Sequence, residues 1–375
     1  MPKQILIAPN AFKNSLSAIE AGKIIKLTLD SLHLDIQSEI APIADGGDGT
    51  MDIFKFYFPK SKFIECNVHD PLMRAIKSSW LLLDKETAVI ELAKASGLTL
   101  LKEEELNPMW ANTFGTGELI LSALNEDCKK IIITLGGSAT VDAGTGILRA
   151  LGVRFYDDKK QKVKAGGGFL GSIQEISFDS LDKRLKNINL NVLCDVKNPL
   201  LGNKGFKVFS AQKGAKEGEI IILENGMEHY VDIVRKITGL EFENKPMAGA
   251  AGGITYSLKV LLNAELFLGF NYISNLTNLE EKIIKSDLII TGEGSLDAQT
   301  LSGKGVFELS NIASKHKKKV IALCGMYDSN INWSSYGIFL VFELLQEGLS
   351  LAESLKNAKD LLQKAIKTNY KLFIN

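Results

Sequence analysis

Four loop stretches of this chain, three of them glycine-rich, together carry carboxylates, hydroxyls and a few lysines, a mixture suited to a polyoxygenated anion and a metal ion. In "IADGGDGT", Ile43 to Thr50, Asp45 and Asp48 flank Gly46 and Gly47. Glycines let backbone approach a ligand closely, and the helix-like run after Thr50 offers an N-terminus that favours anions. The same residues also suit a plain turn with an N-cap. "TLGGSATVDAGTG" ends a β-branched run in Gly136 and Gly137, then offers the hydroxyls of Ser138 and Thr140 and the carboxylate of Asp142. Consecutive N–H groups and hydroxyls suit phosphate or sugar-acid oxygens. In "CDVKNPLLG", Asp195 stands where a strand should end, as general base, metal ligand or turn cap. "LIITGEGSLDAQTLSGKG" interleaves Glu293, Asp297 and Lys304 with four glycines; the carboxylates suit a metal or substrate hydroxyls and the lysine a phosphate charge. As a plain turn, it would use Asp297 as a cap and leave Lys304 solvated.

These loops follow short apolar runs. ILIAP, IIITLGGS, LNVLCDV, DLIITGEG, KVIALCG and IFLVFEL read as strands, separated by stretches with helical spacing such as SLSAIEAGKIIKLTLDSL. Alternating strands and helices predict α/β architecture with largely parallel sheets, and such sheets bind ligands at the carboxyl ends of their strands. An outer domain built from both chain ends, 1–65 plus 265–375, with 66–264 inserted as a second α/β domain, fits the pattern. A hydroxyl acceptor and a nucleotide in a cleft between the domains would suit the loops.

Several classes are disfavoured. The 44 basic and 44 acidic residues give no net charge, which argues against nucleic acid or an anionic membrane as partner. No run approaches the roughly 20 apolar residues of a bilayer span, and the N-terminal apolar run is too short for a signal peptide, so a cytoplasmic location is expected. Cys66, Cys128, Cys194 and Cys324 are far apart, and the four histidines lack ligand spacing. The P-loop pattern is absent. "GGGFLG", Gly166 to Gly171, matches a dinucleotide fingerprint literally but follows a polar stretch instead of a strand.

Taken in order, "IAPNAFKNSLSA", "PIADGGDGT", "NTFGTGELI", "LGGSATVDAGTGILRALG", "CDVKNPLLG", "GAAGG" and "DLIITGEGSLDAQTLSGKG" resemble the bacterial glycerate kinase family of the ATP-dependent glycerate 2-kinase type. The resemblance runs from Ile7 to about Gly325. It implies two α/β domains, one of them flavodoxin-like, with phosphoryl transfer from ATP to D-glycerate and Mg²⁺ as cofactor, typically at the 2-hydroxyl. Three places depart from the family pattern. Asn10-Ala11 stand where members commonly have Asp-Ser, Ser295 where Arg often follows Gly-Glu-Gly, and Gly305-Val306 where Ala-Pro is common.

Phosphoryl transfer needs positioning and charge neutralisation more than covalent help. Asp195 is the candidate base, with Asp45 its rival, and Asp195 and Glu293 are the candidate metal ligands. Lys13 would place a cation by the substrate carboxylate or the moving phosphoryl. Gly46, Gly47, Gly136, Gly137, Ser138, Thr140, Glu293, Asp297 and Lys304 would contact phosphate or substrate oxygens. Other readings are a kinase of a related small hydroxy acid, a 3-phosphoglycerate-forming enzyme, a non-catalytic sugar-acid binding protein, and a nicotinamide oxidoreductase.

Overall fold

Ile5 and Ile7 side chains pack with Ile25, Leu29, Leu362 and Ile366, while Leu6 and Ala8 pack with Ile283, Val306 and Leu309. A strand whose alternate residues are apolar on both faces must be covered on both faces, which is the condition for a parallel sheet inside helices. The structure is a computed structural model and describes residues 2–345 and 348–374. Two units divide the chain: Met1–Asp45 with Gly269–Asn375, and Gly46–Leu268.

The discontinuous unit holds a five-stranded sheet in the order Leu340–Glu343, Lys319–Tyr327, Leu288–Leu296, Lys3–Ile7, Ile36–Ile40, with every pair parallel. Counted along the chain within the unit, this is the flavodoxin-like doubly wound order. Its register sets Ile5 opposite Leu288 and Ile7 opposite Ile290. Helix Ala18–Asp30 starts at a capping box: Ser17 Oγ accepts from the Glu20 N–H at 3.2 Å, and the Glu20 carboxylate accepts the Ser17 N–H at 2.9 Å.

The continuous unit holds a six-stranded mixed sheet. Glu265–Leu268, Asn189–Cys194, Lys130–Thr134 and Thr87–Glu91 are parallel neighbours, followed by antiparallel Ala75–Leu82 and Lys62–His69. The antiparallel pair turns at Asp70, whose Oδ1 accepts the Leu72 and Arg74 N–H groups at 2.9 Å each. A second core lies under helix Glu217–Thr238, around Phe155, Tyr230 and Tyr256.

The observed divisions fall at 45/46 and 268/269, where the sequence suggested 65/66 and 264/265. Glu91, closing strand Thr87–Glu91, accepts the Gly49 and Met51 N–H groups at 2.8 and 3.2 Å. Helix Thr50–Tyr57 is thereby capped from the continuous unit and belongs to it. At the other end, Glu265–Leu268 is held there by pairing with Asn189–Cys194. Among the described residues, no helix is long and apolar enough to cross a membrane.

Candidate active site

In the discontinuous unit, parallel strands send the loops after Ile7, Ile40 and Leu288–Leu296 to one edge of the sheet. Strand order reverses between Lys3–Ile7 and Leu288–Leu296, the place where loops splay apart in such sheets. Backbone bonds tie these loops to each other: Asn10 N–H donates to Gly292 O at 2.8 Å and Ile43 N–H to Pro9 O at 3.0 Å. Gly292 is required here, since a Cβ would overlap the Leu323 carbonyl oxygen. The Asn10 amide donates to Asp45 Oδ2 at 3.3 Å. A carboxylate at position 10 would instead confront that of Asp45.

Glu293 is only 7% exposed. Its Oε1 accepts from the Thr300 hydroxyl at 3.0 Å. Burial raises its pKa to about 7; Lys304 and the Thr300 hydroxyl pull it back, while Asp45 and Asp297 push it further. Asp297 does cap the following turn, with Oδ1 accepting the Gln299 and Thr300 N–H groups at 2.8 and 3.3 Å. Ser295 Oγ donates to its Oδ2 at 3.3 Å. Lys304 is half-buried just before helix Gly305–Lys315, with Nζ 3.5 Å from Gln299 Oε1. Lys13 is exposed, and a Cβ on Gly294 would lie 3.3 Å from its backbone nitrogen. Asp45, Glu293, Asp297 and Lys304 thus act on one another electrostatically, and Lys13 borders the same loop.

The continuous unit brings two other predicted stretches together. Gly136 N–H donates to Gly46 O at 3.1 Å, and a Cβ on Gly136 would overlap the Gly47 Cα. Gly137 has φ +72° and faces the Asp48 carboxylate, where a side chain would collide. Ser138 and Thr140 are buried, and the Thr140 hydroxyl has no partner among the described residues. Asp195 directly follows strand Asn189–Cys194, and the ladder reaches it closely, with Leu135 N–H donating to Leu193 O at 3.1 Å. Asp195 and the Gly136–Ser138 loop therefore leave neighbouring parallel strands at the same edge.

Asp142 has a structural role. Its Oδ2 accepts the Thr113 N–H and hydroxyl at 2.9 Å each and the Gly146 N–H at 3.0 Å, and Oδ1 accepts the Gly144 N–H at 3.0 Å. Burial raises its pKa, while those four bonds favour the carboxylate form and pull it back. It joins the starts of helices Phe114–Asn125 and Thr145–Ala150. The glycines of "GAAGG" pack closely: a Cβ on Gly252 would overlap Thr140 O, and Ala251, Gly252 and Gly253 all have positive φ. "GGGFLG" forms a 3-10 turn, Gly167–Ser172, against helix Glu217–Thr238, as expected of a chance match.

Two residues of consequence were not anticipated. Glu91 caps the helix after "GGDG"; the signal was present, a lone acid closing the apolar TAVIE. Lys213 gave no such signal, because "SAQKGAKEG" reads as a solvated segment. It is buried, donates to Ser138 Oγ at 2.8 Å and Thr140 O at 2.7 Å, and burial lowers its pKa to about 7 against the field of Asp142. The candidate metal ligands Asp195 and Glu293 belong to different units, and among the described residues no three or more His, Cys, Asp or Glu cluster to hold a metal. Burial pushes the Cys128 and Cys194 thiols up to about 11 and about 12, so both are packing residues.

A sequence profile of the glycerate kinase family matches residues 5–373. The glycerate 2-kinase of Escherichia coli strain K12 is 38% identical over 96% of this chain and 96% of its own. The glycerate kinase of Bacillus subtilis strain 168 is 37% identical over 96% of this chain and 95% of its own. A crystal structure from Salmonella typhimurium LT2, provisionally assigned as glycerate kinase 2, matches with a TM-score of 0.83 at 33% identity, covering 99% of this chain and 98% of that one.

Proposed function

The chain belongs to the glycerate kinase family and is an enzyme of that class, and from that premise we propose that it transfers the γ-phosphoryl of Mg-ATP to the 2-hydroxyl of D-glycerate. The observation that carries this reading is the Glu293 cluster: a buried carboxylate beside Asp45 and Asp297, with Lys304 opposing, at the switch point of a parallel sheet. Mg²⁺ is typically held by one or two carboxylates plus substrate phosphates, not by an all-protein cage. Glu293 fits that demand, because burial and like charges leave its ionised form short of compensation. Asp195 is the second candidate ligand. Bound with ATP, the ion would offset charge on the phosphates.

The chain's own residues supply the remaining parts. Lys304 and Lys13 bring positive charge to the loops of the discontinuous unit. Gly46, Gly47, Gly136 and Gly137 offer closely approachable backbone, and Ser138 and Thr140 offer hydroxyls for glycerate or phosphate oxygens; the unpartnered Thr140 hydroxyl supports that role. Asp195, or its rival Asp45, accepts the 2-hydroxyl proton as the new O–P bond forms and the bond to the departing ADP oxygen breaks. The E. coli relative's description as a glycerate 2-kinase supports the 2-position. Enzyme-class membership sets aside the non-catalytic binding protein and the oxidoreductase.

ADP release from Mg-ATP with D-glycerate, followed by phosphorus NMR of the product, tests the proposal. Glycerate-dependent ADP with 2-phosphoglycerate as product is expected. A 3-phosphate product would overturn the position, and silence with D-glycerate alongside turnover of another hydroxy acid would overturn the substrate. Asp195→Asn and Asp45→Asn separate the base candidates: the true base loses about a hundredfold or more in kcat.

A further inference from the structure

An ammonium has three donors and no acceptor. Where the Lys213 Nζ meets Ser138 Oγ at 2.8 Å, the serine oxygen must therefore accept, and its own proton must turn to another partner. The second bond, to Thr140 O at 2.7 Å, fixes Nζ in place. A neutral amine differs: its lone pair can take the serine proton, and Ser138 is then no longer committed to donating elsewhere. We infer that Lys213 is a positioning residue that, as an ammonium, commits the Ser138 hydroxyl to donate to an anionic substrate oxygen, and withdraws that commitment on losing its proton. This inference rests on Ser138 contacting substrate, as proposed above.

A buried lysine is a costly way to support a loop, since an apolar side chain of similar volume would often be as stable. Its presence is understandable if the charge acts through Ser138. The titration falls near neutrality, at about pH 7, because burial lowers the pKa and Asp142 opposes it. Of the charged groups on neighbouring segments, the Asp48 carboxylate faces Gly137 beside Ser138, and several others are engaged elsewhere. Lys207 pairs with Glu224, Glu219 accepts the Lys216 N–H, Glu105 pairs with Arg74, and Arg149 donates to Lys164 O. Asp142 itself is held by its four donors.

The experiment has a kinetic arm and a substrate-free arm. In the first, kcat and KM for D-glycerate are followed from about pH 5.5 to about pH 9 for wild type, Lys213→Met, Ser138→Ala and the double variant. Wild-type kcat/KM should fall about tenfold above neutrality, mainly through KM, with the fall absent from all three variants and the double variant no worse than either single one. An alkaline fall that persists in Lys213→Met, or additive losses, would overturn the inference. Should Lys213→Met fail to fold, Ser138→Ala alone still decides, because the fall must vanish there too.

In the second arm, the Cε signal of Lys213 is followed by carbon NMR in protein labelled on lysine, without substrate. A midpoint near neutrality that moves down in Ser138→Ala is expected, since the serine oxygen stabilises the charged form. A midpoint well into the alkaline range, or one indifferent to Ser138→Ala, would overturn the inference. Absence of glycerate turnover together with a coupled Lys213 titration would instead retain the Lys213–Ser138 pair and reject the proposed function.

Discussion

Glu293 and Asp142 are both buried carboxylates, and their hydrogen bonds set them apart: Asp142 receives four and Glu293 one from Thr300. Replacing Asp142 by Asn turns an amide NH₂ toward at least one converging N–H and should cost about 2 kcal/mol in urea-melt stability. Glu293→Gln should act oppositely on stability and on activity. The folded-state pKa of Glu293 is raised, so its contribution to stability is complete below the unfolded value and is lost as pH rises through about 7. At pH 8 the glutamine variant should therefore melt higher, by about 2 kcal/mol, while kcat falls about a hundredfold. An ionised Glu293 also predicts wild-type activity that climbs as pH rises toward 7; a flat acid limb would count against its role. Asn10→Asp would set a carboxylate against that of Asp45 in place of the present hydrogen bond and should lower stability at neutral pH, read by urea melts. Glu293 was picked out in the sequence as an acid following an apolar strand, and the structure buries it. Lys213 was not, because burial of a lysine is decided by segments distant in sequence.

The elements that carry the loops were legible because buried parallel strands announce themselves as short β-branched runs. All six apolar runs read as strands lie in the two large sheets. The antiparallel edge, Lys62–His69 with Ala75–Leu82, was hidden, since its residues are mostly exposed or half-buried with charges interspersed. Hidden also was the pairing of "GGDG" with "LGGS", a contact between loops that no local pattern encodes. Gly136→Ala forces a Cβ onto the Gly47 backbone, which cannot yield as a flexible side chain would. We expect a loss of about 3 kcal/mol and a rise in KM, read by urea melts and steady-state kinetics. A variant with wild-type KM and stability would show that the loops separate without consequence.

At the scale of the whole chain, the matching character of the first and last strands suggested a nested organisation, and the compact units divide at 45/46 and 268/269. Helix Thr50–Tyr57 looks like a continuation of the first unit until the cap from Glu91 is seen. The continuous unit has its own core clusters and an unbroken chain. Residues 46–268 expressed alone should thus unfold in one cooperative transition by circular dichroism, whereas 1–45 alone should remain unfolded. A gradual, featureless melt of the 46–268 fragment would contradict that reading.

The register of Ile5 with Leu288 sets a timetable for biosynthesis. The first two strands leave the ribosome with no third strand to receive them, and the roughly 250 residues between Ile40 and Leu288 must be made before it appears. At elongation rates of roughly 5–20 residues per second, that delay is on the order of ten to fifty seconds. The continuous unit can fold during the delay while Ile5, Leu6 and Ile7 wait for their Leu288–Ile290 neighbours. Nascent chains stalled before Leu288 should therefore be the form most exposed to chaperone capture, and a mutation that slows folding of the inserted unit should lower the yield of the unit that surrounds it.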